Sequence, residues 1–319
     1  MRVCRLLLLM LCLAVEARAD ADAVADGAAR AAPLAAQGLL LDATRAGARL
    51  VAVGEFGHVL LSDDGGVRWR QATQVPTRTT LTAVTFVDAQ RGWAVGHGGQ
   101  ILASTDGGER WEVRHGVHDG PDSLFSVWFE DATHGYAVGP YGYALRTQDG
   151  GATWTQFQVA DDEDGERHLN QIFGDGDGRL YIAAEIGGVF VSHDHGASWR
   201  LVQTPYEGSL WGGLVRSDGS VLVTGMVGHA LLSSDHGATW RELATGTDQS
   251  LTDAAELPDG RLVLVGLGGA VAVGNPASGF TASIRPDRLA ATSVLPSAEG
   301  VLLFTQAGVR VHPLPARAD

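Results

Sequence analysis

One eight-residue pattern, Ser/Thr-x-Asp-x-Gly-x-x-Trp, occurs five times along this chain at nearly constant spacing. Its tryptophans follow one another after 42, 43, 45 and 41 residues. A period of this length, with short apolar segments between the copies, is the sequence signature of propeller blades. The pattern positions are Ser62, Asp64, Gly66 and Trp69; Ser104, Asp106, Gly108 and Trp111; Thr147, Asp149, Gly151 and Trp154; Ser192, Asp194, Gly196 and Trp199; and Ser233, Asp235, Gly237 and Trp240.

The residue types in each copy indicate a tight turn. Ser or Thr and Asp side chains two residues apart can accept hydrogen bonds from backbone N–H groups. The glycine allows a backbone with positive φ, and the tryptophan offers a large apolar surface for packing between blades. Catalysis or metal binding is the alternative interpretation of the aspartates. A turn at the rim of each blade explains all four residue types, so we interpret the copies as structural.

A second recurring piece, an apolar strand, a tight glycine turn and another apolar strand, precedes each copy. It occurs at residues 53–57, 95–99, 138–142, 184–187, 224–228 and 265–269, and a last version spans 305–311. Each unit begins with an apolar strand that ends in a glycine turn. These glycines are Gly47, Gly92, Gly135, Gly178, Gly219, Gly260 and Gly300. The units predict an all-β fold, a seven-bladed β-propeller with four-stranded blades and Asp-box turns.

The last two units are incomplete. The sixth has only a decayed copy of the Asp-box at residues 274–280, and the seventh stops after three strands. Residues 20–36 precede the first unit and could supply the missing outer strand, which would remove an open sheet edge. We therefore expect residues 20–319 to form a single propeller domain.

Residues 1–19 have the features of a secretory signal peptide. Arg2 and Arg5 precede an apolar run at residues 6–15, and residues 17–19 read Ala-Arg-Ala, a cleavage signal. A run of about ten residues is too short for a membrane anchor. Cys4 and Cys12 both lie in this segment, so the mature domain cannot use disulfides. We expect an exported protein, located in the periplasm or, in a photosynthetic host, in the thylakoid lumen.

The charge of the chain excludes some classes of partner. The formal net charge is −14, and it becomes −16 when residues 1–19, with three arginines and one glutamate, are removed. Nucleic acids and anionic membrane surfaces both attract proteins with a positive field. We therefore expect neither as a partner.

Residues 81–111 carry a more specific resemblance. They contain Asp-Ala-x-x-Gly-Trp-Ala-Val-Gly at 88–96 followed by an Asp-box, and residues 131–139 echo the same pattern. This segment resembles the photosystem II stability/assembly factor family of Asp-box propellers, also called BNR-repeat propellers. The resemblance covers essentially the whole mature chain. It implies a non-catalytic, seven-bladed lumenal or periplasmic protein that assists the assembly of a membrane complex.

The same resemblance leaves the partner open. The family includes bacterial members without a photosystem II, for which an association with RND-type transport systems is one suggestion. The photosynthetic members are described as having a basic surface patch for a partner. In this chain the arginines are scattered over the blades without a run, which argues against that contact.

A glycoside hydrolase of the sialidase type is the main enzymatic alternative, because sialidases share the Asp-box. Those enzymes resemble one another in an N-terminal Arg-Ile-Pro motif, three arginines that clamp the substrate carboxylate and a Tyr/Glu nucleophile pair. Residues 284–286 here read Ile-Arg-Pro and lie near the other end of the chain. The blades are also too uniform in length for catalytic insertions. We expect no catalytic residues.

Two other features could suggest a metal. The acidic stretches at 161–166 and 175–177 offer oxygen ligands before a glycine, but neither forms a complete calcium loop. His193 and His195 fill variable positions of an Asp-box without an evident third ligand. We interpret the stretches as solvated loops, with calcium left open, and the histidines as surface residues. No metal or cofactor is expected.

The turn between the second and third strands of each unit carries the candidate partner-binding residues. In a propeller these turns lie on the same face as the connections between blades. Large apolar residues are unusual at tight turns, and on one face they would form a docking surface for a protein. The alternative is that each packs into its own blade. The candidates are Phe56, Gly98 with its neighbour His97, Tyr141, Ile186, Val227 or its neighbour Met226, and Leu267.

The sequence thus predicts a non-enzymatic, exported scaffold that binds another protein. The expected partner is a subunit of a membrane complex or a component of a transporter. No small-molecule substrate is expected, and the protein is expected to be a monomer.

Overall fold

Seven antiparallel sheets follow one another along the chain, each made of strands that pair in sequence order. This computed structural model describes residues 27–116 and 122–315. The first strand of each sheet contacts the first strand of the next, and that of the seventh sheet returns to the first. The predicted seven-bladed β-propeller is therefore confirmed.

The blades have the following strands. Blades 1 and 2 contain β1 (Leu40–Ala46), β2 (Arg49–Gly54), β3 (Val59–Ser62) and β4 (Arg70–Gln71), then β5 (Leu81–Phe86), β6 (Gly92–Gly96), β7 (Ile101–Ser104) and β8 (Glu112–His115). Blades 3 and 4 contain β9 (Ser126–Phe129), β10 (Gly135–Val138), β11 (Ala144–Thr147) and β12 (Thr155–Gln156), then β13 (Leu169–Gly174), β14 (Leu180–Ala184), β15 (Gly188–Ser192) and β16 (Arg200–Gln203).

The remaining blades repeat this plan. Blades 5 and 6 contain β17 (Leu210–Val215), β18 (Val221–Gly225), β19 (Ala230–Ser233) and β20 (Arg241–Glu242), then β21 (Leu251–Glu256), β22 (Leu262–Gly266), β23 (Ala270–Asn275) and β24 (Gly279–Ile284). Blade 7 contains β25 (Ala291–Ser297), β26 (Gly300–Thr305) and β27 (Gly308–His312). Short 3-10 helices span Ala35–Gln37, Glu55–Gly57, Glu163–Glu166, Met226–Gly228 and Leu267–Gly269.

The apolar runs of the sequence become the middle strands of the blades. All residues of β14, β18 and β22 are buried, because neighbouring blades cover both faces of the sheet. Strands of this kind read as continuous apolar runs rather than as an alternation. The outer strands β4, β12 and β20 have only two residues each and remain largely exposed. The hydrophobic core therefore consists of layers between adjacent blades.

The tryptophans of the Asp-boxes pack between blades, as predicted. Trp111 is 1 % exposed and lies in one cluster with Val51 and Leu61 of blade 1 and Val84 of blade 2. Trp69 of blade 1 meets Phe304 of blade 7 edge-on at 5.8 Å. Each tryptophan thus packs against the preceding blade. The motif therefore specifies the packing of the blades as well as a turn.

Blades 7 and 1 are joined at the inner ring of strands. The hydroxyl of Thr292 in β25 donates to the carbonyl oxygen of Leu40 in β1 at 2.7 Å. The guanidinium of Arg45 donates to the carbonyl oxygen of Pro296 at 2.5 Å. These bonds close the circle between the two ends of the domain.

The segment before β1 does not pair with blade 7 in the way that the sequence suggested. Residues 27–36 form no strand, and the sheet of blade 7 has three strands among the described residues. Residues 28–32 lie instead along the outer side of blade 1, and the 3-10 helix Ala35–Gln37 contacts β27. The segment bridges the two end blades by loop contacts. Residues 20–26 lie outside the described residues, so the closing strand stays a prediction for them.

The signal peptide expected at residues 1–19 also lies outside the described residues. Within 27–116 and 122–315, no helix has the length and apolar character needed to cross a membrane.

Candidate functional site

The turns between second and third strands lie on one face of the propeller, which we call the turn face. The third residue of each turn, its tip, has a left-handed backbone in blades 1 to 6. In four blades this tip is a large apolar or aromatic residue with more than half of its surface exposed. These are Phe56 (φ 56°, 61 % exposed), Tyr141 (54°, 78 %), Ile186 (56°, 53 %) and Val227 (54°, 58 %).

These tip residues are strained where they stand. A left-handed backbone costs an L-residue about 1–2 kcal/mol, and for a β-branched residue such as Ile186 or Val227 it is a genuine outlier. Blades 2 and 6 form the same turn with glycine, at Gly98 and Gly268. The turn therefore does not need a side chain at the tip, and most of the surface of these four side chains stays in water.

The glycine after each tip has a different role. A Cβ on Gly57 would overlap the carbonyl oxygen of Thr77, and a Cβ on Gly187 would overlap that of Tyr206. Here the following blade-to-blade connection passes directly over the turn. In blades 1, 3, 4, 5 and 6 this second glycine is required by packing, whereas the residue at the tip is free to vary. In blade 2 a Cβ on Gly99 would meet its nearest atom only at 3.5 Å.

The backbone identifies the tips of blades 5 and 6. Val227 is the tip of blade 5, which the sequence left open between Val227 and Met226, and Gly268, not Leu267, is the tip of blade 6. Met226 and Leu267 precede the tips and are 37 % and 39 % exposed. His97 likewise precedes Gly98 and is exposed. All of these residues nevertheless lie on the turn face, and none is part of the buried core.

Histidines lie against the aromatic tips. The ring of Tyr141 meets that of His168 edge-on at 4.5 Å, and the Tyr141 N–H donates to His168 Nδ1 at 3.1 Å. Phe56 and His58 have ring centroids 6.0 Å apart. These contacts hold each aromatic ring in place while leaving its outer surface in water.

Acidic residues lie between the tips of blades 3 and 4. The 3-10 helix Glu163–Glu166 packs against Gly142, beside Tyr141. The Arg167 guanidinium forms an ion pair with Asp164 Oδ1 at 2.5 Å and donates a hydrogen bond to the carbonyl oxygen of Ile186 at 3.2 Å. Glu163 and Glu166 are exposed and take part in no ion pair with a described residue. The surface between the apolar tips is therefore negatively charged.

An open groove lies beside the tip of blade 5. It has a volume of about 700 Å³ and runs between the outer strands of blades 5 and 6. Its floor includes the buried Leu243, and Val227, Glu242 and Arg288 lie along its walls. The sequence analysis missed this groove, because a space between two outer strands leaves no local pattern.

The Asp-boxes form the predicted turns. In blade 1 the Ser62 hydroxyl donates to Asp64 Oδ1 at 3.0 Å and accepts from the N–H of Gly66 at 2.9 Å. Asp64 Oδ1 also accepts from the N–H of Arg68 at 2.9 Å. The other four copies have the same three bonds between their equivalent residues.

Hydrogen bonds keep the Asp-box carboxylates of blades 1, 3, 4 and 5 ionised. The side chain and backbone of Arg68 lower the pKa of Asp64 to about 2. The hydroxyl and backbone N–H of Thr153, Ser198 and Thr239 lower the pKa values of Asp149, Asp194 and Asp235 to about 2 in the same way. A carboxylate held ionised by its own turn is not suited to donate a proton, which supports the structural interpretation.

Two of the residues considered for metal binding, Asp175 and His195, have protein partners. Asp175 forms an ion pair with Arg179 at 2.7 Å and accepts from the N–H of Asp177 at 2.8 Å. His195 lies 2.8 Å from Glu130, which raises the pKa of the imidazole. The arrangement of these side chains is explained by their neighbours within the protein.

The central channel contains a pair of carboxyls that the sequence analysis did not identify. Asp42 of blade 1 and Asp253 of blade 6 face the channel on either side of blade 7, whose Ser293 hydrogen-bonds with both. Although water reaches part of each side chain, the surrounding strands desolvate them. Burial raises the pKa of Asp42 to about 6, and burial together with the Asp42 carboxylate raises that of Asp253 to about 7.

Each of these carboxyls also joins two blades. Asp42 Oδ2 accepts from the N–H of Val84 in blade 2 at 2.8 Å, and Asp253 Oδ2 accepts from the N–H of Val294 in blade 7 at 2.9 Å. Gln171 in blade 4 makes the same bond to Gly213 in blade 5 at 2.5 Å. A polar residue at the third position of several first strands was the available sequence signal. These side chains link blades around the channel.

Solved structures share this fold over almost the whole chain. YCF48 bound to a D1 peptide has a TM-score of 0.69 and 19 % identity, and the alignment covers 88 % of this chain and 94 % of that one. YCF48 from Cyanidioschyzon merolae has a TM-score of 0.67 and 16 % identity, with 89 % and 97 % covered. An ancestral GH74 enzyme has a TM-score of 0.69 and 13 % identity over 88 % of this chain, but only 45 % of its own. At these identities the likeness shows the fold alone.

Sequence comparison identifies the family. None of the curated proteins is significantly similar to the chain in sequence. The model of the family described as photosynthesis system II assembly factor YCF48 matches residues 62–126 and 119–273, which together span well over half of the chain. With its Asp-box turns and seven blades, this chain belongs to the family of the photosynthesis system II assembly factor YCF48.

Proposed function

We propose that this protein is a non-catalytic, exported scaffold that binds a segment of a partner protein on its turn face. The observation that carries the proposal is the set of exposed apolar tips at Phe56, Tyr141, Ile186 and Val227 in left-handed backbone. Gly98 and Gly268 show that the fold can form this turn without strain. A side chain that costs stability and is exposed to water is best explained by a contact outside the chain.

The chemistry of the turn face fits a protein partner. Large apolar side chains surrounded by polar groups are the usual centre of a protein interface, and a few of them supply most of its binding energy. A solved structure of YCF48 holds a D1 peptide, so a propeller of this family can hold a segment of another protein. We propose a subunit of a membrane complex or a transporter component as the partner here.

The described acidic residues favour binding over hydrolysis. The Asp-box carboxylates are tied into their turns, and Asp42 and Asp253 accept backbone hydrogen bonds that join blades. A glycoside hydrolase needs one carboxyl that can reach the glycosidic oxygen and a second that can reach the sugar or a water. Carboxyls that serve as links between strands are poorly placed for such a step.

The proposal is tested by replacing strained tips with glycine. Ile186→Gly and Val227→Gly, combined, remove two exposed anchors and relieve their backbone strain. His236→Gly is the matched control, because His236 has a φ of 55° and is exposed on the opposite, Asp-box face. The three purified proteins are used to capture partners from the membrane fraction of the host, with quantification by mass spectrometry.

We expect the double variant to recover about tenfold less of the membrane protein that the wild type recovers, since each large anchor contributes on the order of 1 kcal/mol or more. His236→Gly should recover the wild-type amount. Equal recovery by the double variant, or loss only in the control, would show that the turn face is not the binding surface.

A further inference from the structure

The chain already binds one extended peptide segment, its own residues 28–32. Gln71 at the end of β4 holds this segment by two hydrogen bonds. Its Nε2 donates to the carbonyl oxygen of Arg30 at 3.0 Å, and its Oε1 accepts from the N–H of Ala32 at 2.7 Å. One side chain thus binds both polar groups of a passing main chain.

Two further bonds fix the other end of this segment. The N–H of Ala29 donates to the carbonyl oxygen of Val75 at 2.9 Å, and Arg78 Nε donates to the carbonyl oxygen of Ala28 at 2.7 Å. The segment fills the groove between the turn and the outer strand of blade 1. Its residues are mostly alanine, so main-chain bonds account for much of the recognition.

Blade 5 has the same groove, but no segment of the described residues 27–116 and 122–315 lies in it. The N–H of Leu243 donates to the carbonyl oxygen of Ala230 at 2.8 Å. In blade 1 the N–H of Ala72 donates to the carbonyl oxygen of Val59 at the same distance, 2.8 Å. The connection after β20 then passes over Gly228 as the connection after β4 passes over Gly57. The open groove described above is therefore the counterpart of the filled groove in blade 1.

The polar groups around the two grooves correspond, with one change of charge. Glu242 takes the position of Gln71 and keeps its acceptor oxygen. Asp248 takes the position of Arg78, and Arg288 lines the groove on the blade 6 side. Glu242 lies 2.5 Å from His229 and keeps about half of its side chain exposed. The groove wall formed by blade 5 is therefore acidic, whereas the groove wall formed by blade 1 is not.

Resting on the proposed function, we propose that the groove between blades 5 and 6 binds an extended segment of the partner that carries an arginine or lysine. Glu242 accepts from a main-chain N–H, as Gln71 does in blade 1. Asp248 and Glu242 face the cationic side chain, and Leu243 and Ala282 lie beneath the small residues next to it. Val227, at the edge of the groove, connects this site with the apolar tips.

The probe is a labelled peptide with the sequence of residues 27–34, blocked at both ends. Two counterparts carry Arg30→Glu and Arg30→Ser. Fluorescence anisotropy with the full-length protein measures the three affinities at low and at high salt. We expect the arginine peptide to bind about tenfold more tightly than the glutamate peptide, the effect of one charge-assisted bond, and salt to reduce the difference.

Variants of the protein locate the binding. Glu242→Gln with Asp248→Asn keeps the acceptor oxygen of Glu242 and removes both charges, so all three peptides should bind with similar affinity. Ala244→Trp fills the groove from an exposed position and should abolish binding. Asp177→Asn with Glu299→Gln removes the same charge from the Asp-box face and should change nothing. Thermal melts confirm that each variant is folded.

Three results would overturn the inference. The first is no binding of the arginine peptide, or equal binding of all three by the wild type. The second is binding that Ala244→Trp leaves unchanged. The third is a concentration-dependent dimer that Ala244→Trp abolishes, since the groove would then hold a second copy of this chain. The proposed function is judged separately by partner capture with Ile186→Gly and Val227→Gly.

Discussion

The carbonyl oxygen of Tyr206 lies directly over Gly187, in the space that a Cβ on that glycine would occupy. The residue before it, Ile186, has the same left-handed backbone but projects into water. Two adjacent residues with similar φ are thus under opposite constraints. Position 186 can accept a side chain at the cost of backbone strain, whereas position 187 can accept none.

This contrast gives a stability prediction. Ile186→Gly should raise the free energy of unfolding by about 0.5–1 kcal/mol, because relief of left-handed strain exceeds the entropy cost of glycine. Gly187→Ala should lower it by about 2 kcal/mol or more, since the connection over it must move. Urea denaturation measures both. If Ile186→Gly were clearly destabilising, the tip would be a structural residue rather than a strained binding residue.

The repeat unit of the fold could be predicted from the sequence because it depends on local chemistry. Each Asp-box makes its bonds within eight residues, and the glycine turns mark the strand ends. The sequence left the tip of blade 5 open between Val227 and Met226 and placed the tip of blade 6 at Leu267, because these residues are all large and apolar. Only the backbone shows that Val227 and Gly268 take the left-handed conformation.

Features that depend on distant parts of the chain could not be predicted. Asp42 and Asp253 are far apart in sequence and meet only when blades 6, 7 and 1 surround the channel. The position of residues 28–32 on blade 1 likewise depends on Gln71 and Arg78, whose roles appear only when that groove exists.

The Asp-box itself gives the next prediction. Trp111→Ala removes a ring that is 1 % exposed between blades 1 and 2 and should cost about 3–5 kcal/mol. Asp106→Ala leaves the N–H of Arg110 without its acceptor and should cost about 1–2 kcal/mol. Thermal melts of both variants are the measurement. Wild-type stability in both would show that this Asp-box does not secure its blade.

The carboxyl pair in the channel should make stability depend on pH. Raised pKa values mean that the folded state retains protons that the unfolded state has released between about pH 4 and 7. The contribution of these two carboxyls to the free energy of unfolding therefore decreases as the pH rises from about 4 to about 7, and it is constant above that range. Asp253→Asn should flatten the dependence, whereas Asp177→Asn on the surface should not. Melting temperatures across pH 4–8 that run parallel in the Asp253 variant and the wild type would contradict this.

Enzymatic activity can be tested directly. A panel of fluorogenic glycosides, including a sialoside, should show no turnover above buffer with the purified protein. Saturable hydrolysis that disappears in Asp42→Asn or Asp253→Asn, while His236→Gly retains it, would replace the scaffold proposal with an enzymatic one.

The central claim is that the partner lies against the apolar tips of the turn face. Tyr141 is 78 % exposed, so a photoreactive phenylalanine analogue can replace it with little effect on folding. The same analogue at Arg110, exposed on the Asp-box face, is the control. Illumination in the presence of host membranes should give a covalent adduct with one membrane protein from position 141 and none from position 110. An adduct with that protein from position 110 alone would contradict the account.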